Sequence, residues 1–230
     1  LTQLLLDRLD GDLTEEQEKQ VRFVRSSAQA LSELVNDLLD LSRIEAGRHD
    51  LRAAEIDVQE LFASLRGMMK PLITKPNIEL VVEDPPSFPV FNTDAGKIAQ
   101  ILRNLVSNAI KFTTRGEVRV RARPSPIVDS MIRFEVTDTG IGIAPEDQER
   151  IFDEFIQVDG PLQRTVQGTG LGLALSRRLA EVLGGSLTVH SHVGRGSTFV
   201  LDIPLVHEEV RAVQKISDNA ATPRKMEGST

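Results

Sequence analysis

The sequence predicts an α+β fold, one sheet with helices on one face, preceded by a helical hairpin. Three observations carry that prediction. An apolar recurrence of seven residues runs through residues 13–46, the mark of a helix packed lengthwise against other helices. GEVRVRARP (116–124) and SMIRFEVTD (130–138) alternate apolar and polar side chains, as half-buried antiparallel strands do. Helical segments fall between groups of strands without strict βαβ order, which favours α+β over a parallel sheet.

The elements follow in order. Leu1, Leu4, Leu5 and Leu9 form a short apolar stripe ending at the turn-like Asp10-Gly11-Asp12. Beyond it, Val21, Val24, Ala28, Leu31, Val35 and Leu38 recur at steps of three and four, widened by Leu34 and Leu41. Thr14 and Gln17 make a capping box, and Gly47 stands as the residue after the last turn. The two stripes describe a hairpin with its first arm cut short. Its long apolar seam favours an oligomerisation bundle over a pair packing on its own domain. EIDVQELFASLRGMM (55–69) is a strand running into a helix, and IELVVE (78–83) and FPVFN (88–92) are strands. Thr93 or Asp94 caps a strongly periodic helix reaching about Thr113. Pro145, followed by Glu146, Asp147 and Glu149, starts a further helix, with acids suited to the positive end of its dipole. SLTVHSHV and STFVLDIPL, joined by Gly194-Arg195-Gly196, form a closing hairpin. From His207 the chain turns polar and reads as a linker or disordered end. The expected units are therefore 1–48, 49–206 and 207–230.

Composition narrows the function. The chain has 230 residues, 40% apolar and 27% charged, enough for one or two globular domains. It has no cysteine, so neither a disulfide frame nor a thiolate metal site is available. Its histidines are 49, 190, 192 and 207; only the 190/192 pair shares a strand face, and a metal is the lesser reading of it. A net charge of −7 argues against nucleic acid as a partner. No apolar run approaches a membrane helix and no signal peptide is present, so a soluble, cytoplasmic chain without membrane contact of its own is expected.

Three stretches carry chemistry. In AGKIAQILRNLVSNAIKFTT (95–114), Ile98, Leu102, Leu105 and Ala109 share one helix face, and Asn104, Asn108 and Lys111 share another. A lone surface asparagine is ordinarily just solvated. Two in line with a lysine offer an amide oxygen for a hard cation and a positive charge for phosphate, the pairing a magnesium–polyphosphate needs. In EVTDTGIGI (135–143), Asp138 ends a strand beside Gly140 and Gly142. A turn alone would explain those glycines, yet the carboxylate also offers an acceptor for an exocyclic amine such as that of adenine. In QGTGLGLALSRRLAEVLGG (167–185), Gly168, Gly170 and Gly172 alternate with Thr169, Leu171 and Leu173 at the start of a helix. Unpaired N–H groups and a positive dipole end there make a phosphate site if side chains leave the approach open. The segment is neither a dinucleotide fingerprint nor a P-loop. The polar stretch from about Ala144 to Gln167 is long enough to fold over a ligand as a lid.

NLVSNAIKFT, DTGIGI, IFDEF and GTGLGLALSRRLAEVLGG, with a closing GRGSTFVLDIP, resemble in order the asparagine, first glycine, phenylalanine and second glycine boxes of two-component sensor histidine kinases. DLLDLSRIEAG (37–47) resembles the end of that family's dimerisation helix, and the likeness covers roughly residues 1–205. It implies a Bergerat-type (GHKL) two-layer sandwich that binds ATP and magnesium, with a response-regulator receiver domain as partner and a homodimer in the intact protein. It further implies that Asn108 ligates magnesium, Asn104 lies beside the phosphates, Lys111 reaches them and Phe112 flanks the nucleotide. Asp138 would accept from the adenine amine, with Gly140, Gly142 and Ile143 around the base. Gly168, Thr169, Gly170, Leu171, Gly172 and Leu173 would cradle the phosphates. Thr198 would support Asp138 through a water-mediated contact, and Phe152 and Phe155 would anchor the lid. One departure stands out: the family's phosphate-accepting histidine belongs on the first dimerisation helix, and no histidine precedes His49. The expectation is a fragment that lost its N-terminal part and binds nucleotide without phosphorylating itself. Rival readings are an ATPase of the same fold, a serine-directed kinase or anti-sigma factor, and a dimeric scaffold with a degenerate pocket. The hydrolase would need a glutamate as general base where Asn104 stands.

Overall fold

A computed structural model describes residues 1–9, 11–47, 51–73, 76–86, 88, 91–126, 130–157 and 168–205. Thr2–Leu6 forms helix α1, and Glu15–Glu45 forms the 31-residue helix α2. The capping box closes as the sequence requires. The Gln17 N–H donates to the Thr14 hydroxyl at 3.2 Å, and the Thr14 N–H donates to the Gln17 side chain at 2.9 Å. Two donors that a helix start leaves unpaired are thus satisfied. The apolar seam of α2 is left open within the single chain. Val24, Leu31, Val35 and Leu38 are 44–63% exposed, while Leu41 on the flank is buried and packs with Leu34 and Ile44 on the rest of the core. A helix presents one stripe in one direction, and here its flank meets the following domain while the seam faces solvent. Gln100 donates to Asp40 at 3.0 Å across the same contact.

Ala54–Ile56 (β1) and Phe91–Thr93 (β3) pair antiparallel as a small ribbon. Of the strand expected at 88–92, Phe91 and Asn92 lie in β3; residues 89 and 90 lie outside the described set. Between them Asp57 caps helix α3 (Val58–Met69), accepting from the Gln59 N–H at 2.7 Å. The main sheet comprises β2 (Ile78–Val82), β4 (Gly116–Pro124), β5 (Met131–Asp138), β6 (Ser186–His192) and β7 (Gly196–Pro204), in the order β2-β4-β5-β7-β6. β2 runs parallel to β4, and the other pairs are antiparallel.

Period-two alternation sorts the two faces. Val118, Val120, Ile132, Phe134 and Val136 point inward and are buried, whereas Arg119, Arg121 and Arg123 line the other side. The outer face is tied by ion pairs, among them a bidentate Arg133–Asp202 pair at 2.7 and 2.8 Å. Helices α3, α4 (Ala95–Phe112) and α5 (Gly172–Val182) cover the inner face. Asp94, not Thr93, caps α4, accepting from the Lys97 N–H at 3.1 Å. Ile98, Leu102, Leu105 and Ala109 face the sheet with 0–2% exposure. Phe62 of α3 reaches Phe134 at 6.1 Å between ring centroids. The result is the two-layer α+β sandwich.

After Pro145 the chain makes two single 3-10 turns, Pro145–Asp147 and Arg150–Phe152, in place of the helix expected there. Gln148 donates to the Ser191 carbonyl at 2.9 Å, and Ile151 and Phe152 are drawn into the core. The segment is thus held at β6 by Gln148 and against Phe199 of β7 and Arg177 of α5 by Phe152, in place of running on as a regular helix.

Candidate functional site

The polar face of α4, the head of α5, the end of β5 and one side of α2 enclose a cavity of about 940 Å³. That volume suits a small-molecule ligand. Asn104, Asn108, Lys111 and Phe112 reach it from α4, since steps of three and four residues bring them round to one side. Asp138, Gly142 and Ile143 reach it from the end of β5, and Gly168, Thr169, Gly170, Gly172 and Leu173 from the α5 side.

Asp138 is buried at the end of its strand, and that burial pushes its carboxyl above the usual range. The Gly140 N–H, donating at 2.8 Å, and the N–H and hydroxyl of Ser197 pull it partly back. A carboxylate has about four acceptor positions, so these bonds leave capacity for one more donor from the cavity. Burial also pulls the Lys111 ammonium below the ordinary lysine range, and its Nζ lies 5.5 Å from the Phe112 ring centroid. An anion in the cavity would restore the ammonium, because an opposite charge favours the charged form.

Helix α5 begins without a side-chain cap. Its first N–H groups are therefore available to an anion at the positive end of the dipole. The alternating glycines have a second reason as well, in the protein itself. A Cβ on Gly172 would lie 2.5 Å from the Asn104 Oδ1, and one on Gly168 2.8 Å from the Lys111 Nζ. The glycines let α4 and α5 close on each other as well as keeping the approach bare. Gly142, at φ +72°, supports the turn reading: a Cβ there would collide with the His192 carbonyl.

Four expected placements are corrected. Thr198 pairs with Thr137, hydroxyl to hydroxyl at 3.1 Å, on the outer face of the sheet. Ser197 is the residue opposite Asp138 and the one that bonds it. Strand parity carries the signal: Phe199, Leu201 and Ile203 are the apolar positions of β7, and Ser197 shares their side. Leu171 is fully buried and its N–H donates to the Thr169 hydroxyl at 3.3 Å, so it does not offer that amide to a ligand. Gly140 lies behind Asp138 rather than on the cavity wall, its Cα facing the Phe112 carbonyl. Phe155 is 59% exposed, at φ +61°, so only Phe152 anchors that end. Phe152 packs edge-on against Phe199 at 6.4 Å, with the Arg177 guanidinium 4.7 Å from its ring. Gln157 donates to the Gly168 carbonyl at 2.6 Å, but residues 158–167 of the expected lid lie outside the described set.

Sequence reasoning misses the α2 wall. Leu31, Glu33, Leu34 and Asp37 line the cavity opposite α4. Burial, with Asp40 and Glu33 nearby, raises the Asp37 carboxyl. The spacing of Leu34, Leu41 and Ile44 off the main seam is the sequence signal that a second face of α2 is used.

Magnesium fits the donor set. Among the described residues no group of three or more His, Asp or Glu could hold a metal by itself. A cation here would take an Asn108 amide oxygen and fill its other positions with phosphate and water, the coordination magnesium favours.

Residues 93–207 match the model of the histidine kinase-, DNA gyrase B- and HSP90-like ATPases, and residues 1–47 match the His Kinase A (phospho-acceptor) domain. The chain belongs to the sensor histidine kinases. Aerobic respiration control sensor protein ArcB of Escherichia coli is 39% identical to this kinase chain over 208 residues, 88% of the chain and 26% of ArcB. The autoinducer 2 sensor kinase/phosphatase LuxQ of Vibrio harveyi is 35% identical over 214 residues, 91% of the chain and 24% of LuxQ. The chain thus spans about a quarter of the length of these relatives. Full-length ShkA in complex with AMPPNP superposes with a TM-score of 0.72 at 35% identity, over 89% of this kinase chain and 42% of ShkA. The catalytic domain of histidine kinase ThkA superposes at 0.56 with 28% identity, over 70% of the chain and 99% of that domain.

Proposed function

We propose that residues 49–206 are the catalytic unit of a cytoplasmic histidine kinase core, which binds magnesium–ATP and transfers its γ-phosphoryl group to a histidine, for relay to a response-regulator aspartate. Residues 1–48 are its dimerisation hairpin. The observation that carries the reading is one cavity bounded by a buried carboxylate, two asparagines, a lysine and an uncapped helix head.

Phosphoryl transfer asks a protein mainly for positioning and charge neutralisation. Asp138 accepts from the adenine amine and sets the base at the end of β5. The first amides of α5 and the Lys111 ammonium take the phosphates, and the Asn108 oxygen takes the cation. Magnesium, held by the Asn108 oxygen, would supply positive charge against that of the phosphates. Asn104 cannot act as a general base toward water, which favours transfer over hydrolysis.

Calorimetry with magnesium–AMPPNP tests the reading. Saturable heat is expected, and its absence at high micromolar ligand would sink the nucleotide assignment. Residues 1–47, the phospho-acceptor match, contain no histidine. Labelled ATP should therefore leave histidines 49, 190, 192 and 207 unlabelled while labelling a separately supplied acceptor domain. The solvent-facing seam of α2 is assigned to a second copy. Burying a Val or Leu side chain contributes roughly 1.5–3 kcal/mol. Val35→Glu with Leu38→Glu should thus weaken self-association on the order of 100-fold or more by sedimentation. An unchanged association constant would exclude this seam as the interface.

A further inference from the structure

Ser176 lies one turn beyond Gly172 on α5 and is 2% exposed. Its hydroxyl accepts from the Asn104 Nδ2 at 2.8 Å, across the junction of α4 and α5. A carboxamide has one donor end and one acceptor end, so committing the nitrogen decides where the oxygen points. The Asn104 oxygen then faces the bare Cα of Gly172 on one side. On the other side it accepts from the Asn108 Nδ2, one turn further along α4, at a long 3.5 Å. Asn108 in turn has its nitrogen engaged and its oxygen left over. The order of the chain, hydroxyl to amide to amide, thereby selects which end of Asn108 is offered to the cavity.

We propose that Ser176 is a positioning residue for the metal-bound nucleotide: by fixing the Asn104 amide it turns the carbonyl oxygen of Asn108, rather than its NH₂, toward the cation on the phosphates. This rests on the nucleotide reading above. Ser176 touches neither nucleotide nor cation; it acts through two side chains. Gly172 and Ser176 together grip Asn104 from one helix, so the element that cradles the phosphates also sets the ligand that meets their metal. With the hydroxyl removed, the Asn104 nitrogen loses a buried partner and the amide is free to turn over. Asn108 then presents a donor to the cation in part of the population.

The test compares AMPPNP affinity in magnesium with that in EDTA, and adenosine affinity, for wild type, Ser176→Ala, Ser176→Cys and Ser176→Thr, each with a thermal melt. Cysteine keeps the volume but bonds weakly, and threonine keeps the hydroxyl. The magnesium enhancement should fall about tenfold in the alanine and cysteine variants, the loss typical when a partner behind a metal ligand is removed. Adenosine affinity should stay within about twofold, because adenosine carries neither phosphate nor metal and draws on Asp138, and threonine should restore the enhancement. Unchanged enhancement in folded Ser176→Cys would overturn the proposal, as would an equal loss for adenosine and magnesium–AMPPNP. If the wild type itself binds no AMPPNP, the nucleotide reading fails instead.

Discussion

Asp138→Asn is expected to lower adenine-nucleotide affinity by about 100-fold, with adenosine affected as strongly as ATP. The carboxylate is buried, is held by Gly140 and Ser197, and keeps acceptor capacity toward the cavity. An amide in its place turns an NH₂ toward donors, and losing a charged hydrogen bond in a dry site costs about 1.5–3 kcal/mol. The pH dependence follows from the raised carboxyl. As pH falls, Asp138 takes up its proton above the usual aspartate value of about 3.9, so nucleotide affinity should decline before ordinary aspartates titrate. Folding stability moves the other way. A carboxyl with a raised folded-state pKa binds its proton more readily in the native chain, so the contribution of this group grows as pH falls and is lost as pH rises through that value. AMPPNP titrations and thermal melts carried from neutral pH down into the usual aspartate range check both signs. Asp138→Asn binding adenosine like wild type would place the base elsewhere.

Asn108→Ala is expected to separate the two halves of the ligand. Adenosine should bind as before, because the base contact is assigned to Asp138 and not to Asn108. Magnesium–AMPPNP should lose at least about 10- to 100-fold, the range typical when a residue behind a metal ligand is lost. In EDTA the variant and wild type should converge, since the cation no longer draws on the amide oxygen. Calorimetry in the two buffers reads the difference directly. If the variant keeps its magnesium enhancement, Asn108 is not the cation's protein ligand.

Both predictions concern residues that local spacing singles out. Asn104, Asn108 and Lys111 stand out because helical spacing is a local property, and Asp138 because it closes an alternating strand. The capping box at Thr14, the bounds of α4 and the β6–β7 hairpin are legible for the same reason. The family resemblance points to Thr198 although parity favours Ser197, because a motif does not carry the strand register. Phe155 reads as an inward aromatic residue; its φ of +61° turns it outward, and its N–H donates to the Gly170 carbonyl at 3.1 Å.

By itself the sequence determined what repeats along the chain: helix faces, strand alternation, caps, and the order of the asparagine and glycine segments. Tertiary structure alone decided what meets across the chain. It brought Glu33 and Asp37 of α2 to the cavity wall, set Ser176 against Asn104, and gave the α5 glycines protein neighbours. The reason is one of range. Periodicity follows from backbone geometry within a few residues, whereas these contacts join positions about 70 apart, where register and helix docking depend on how the whole core packs.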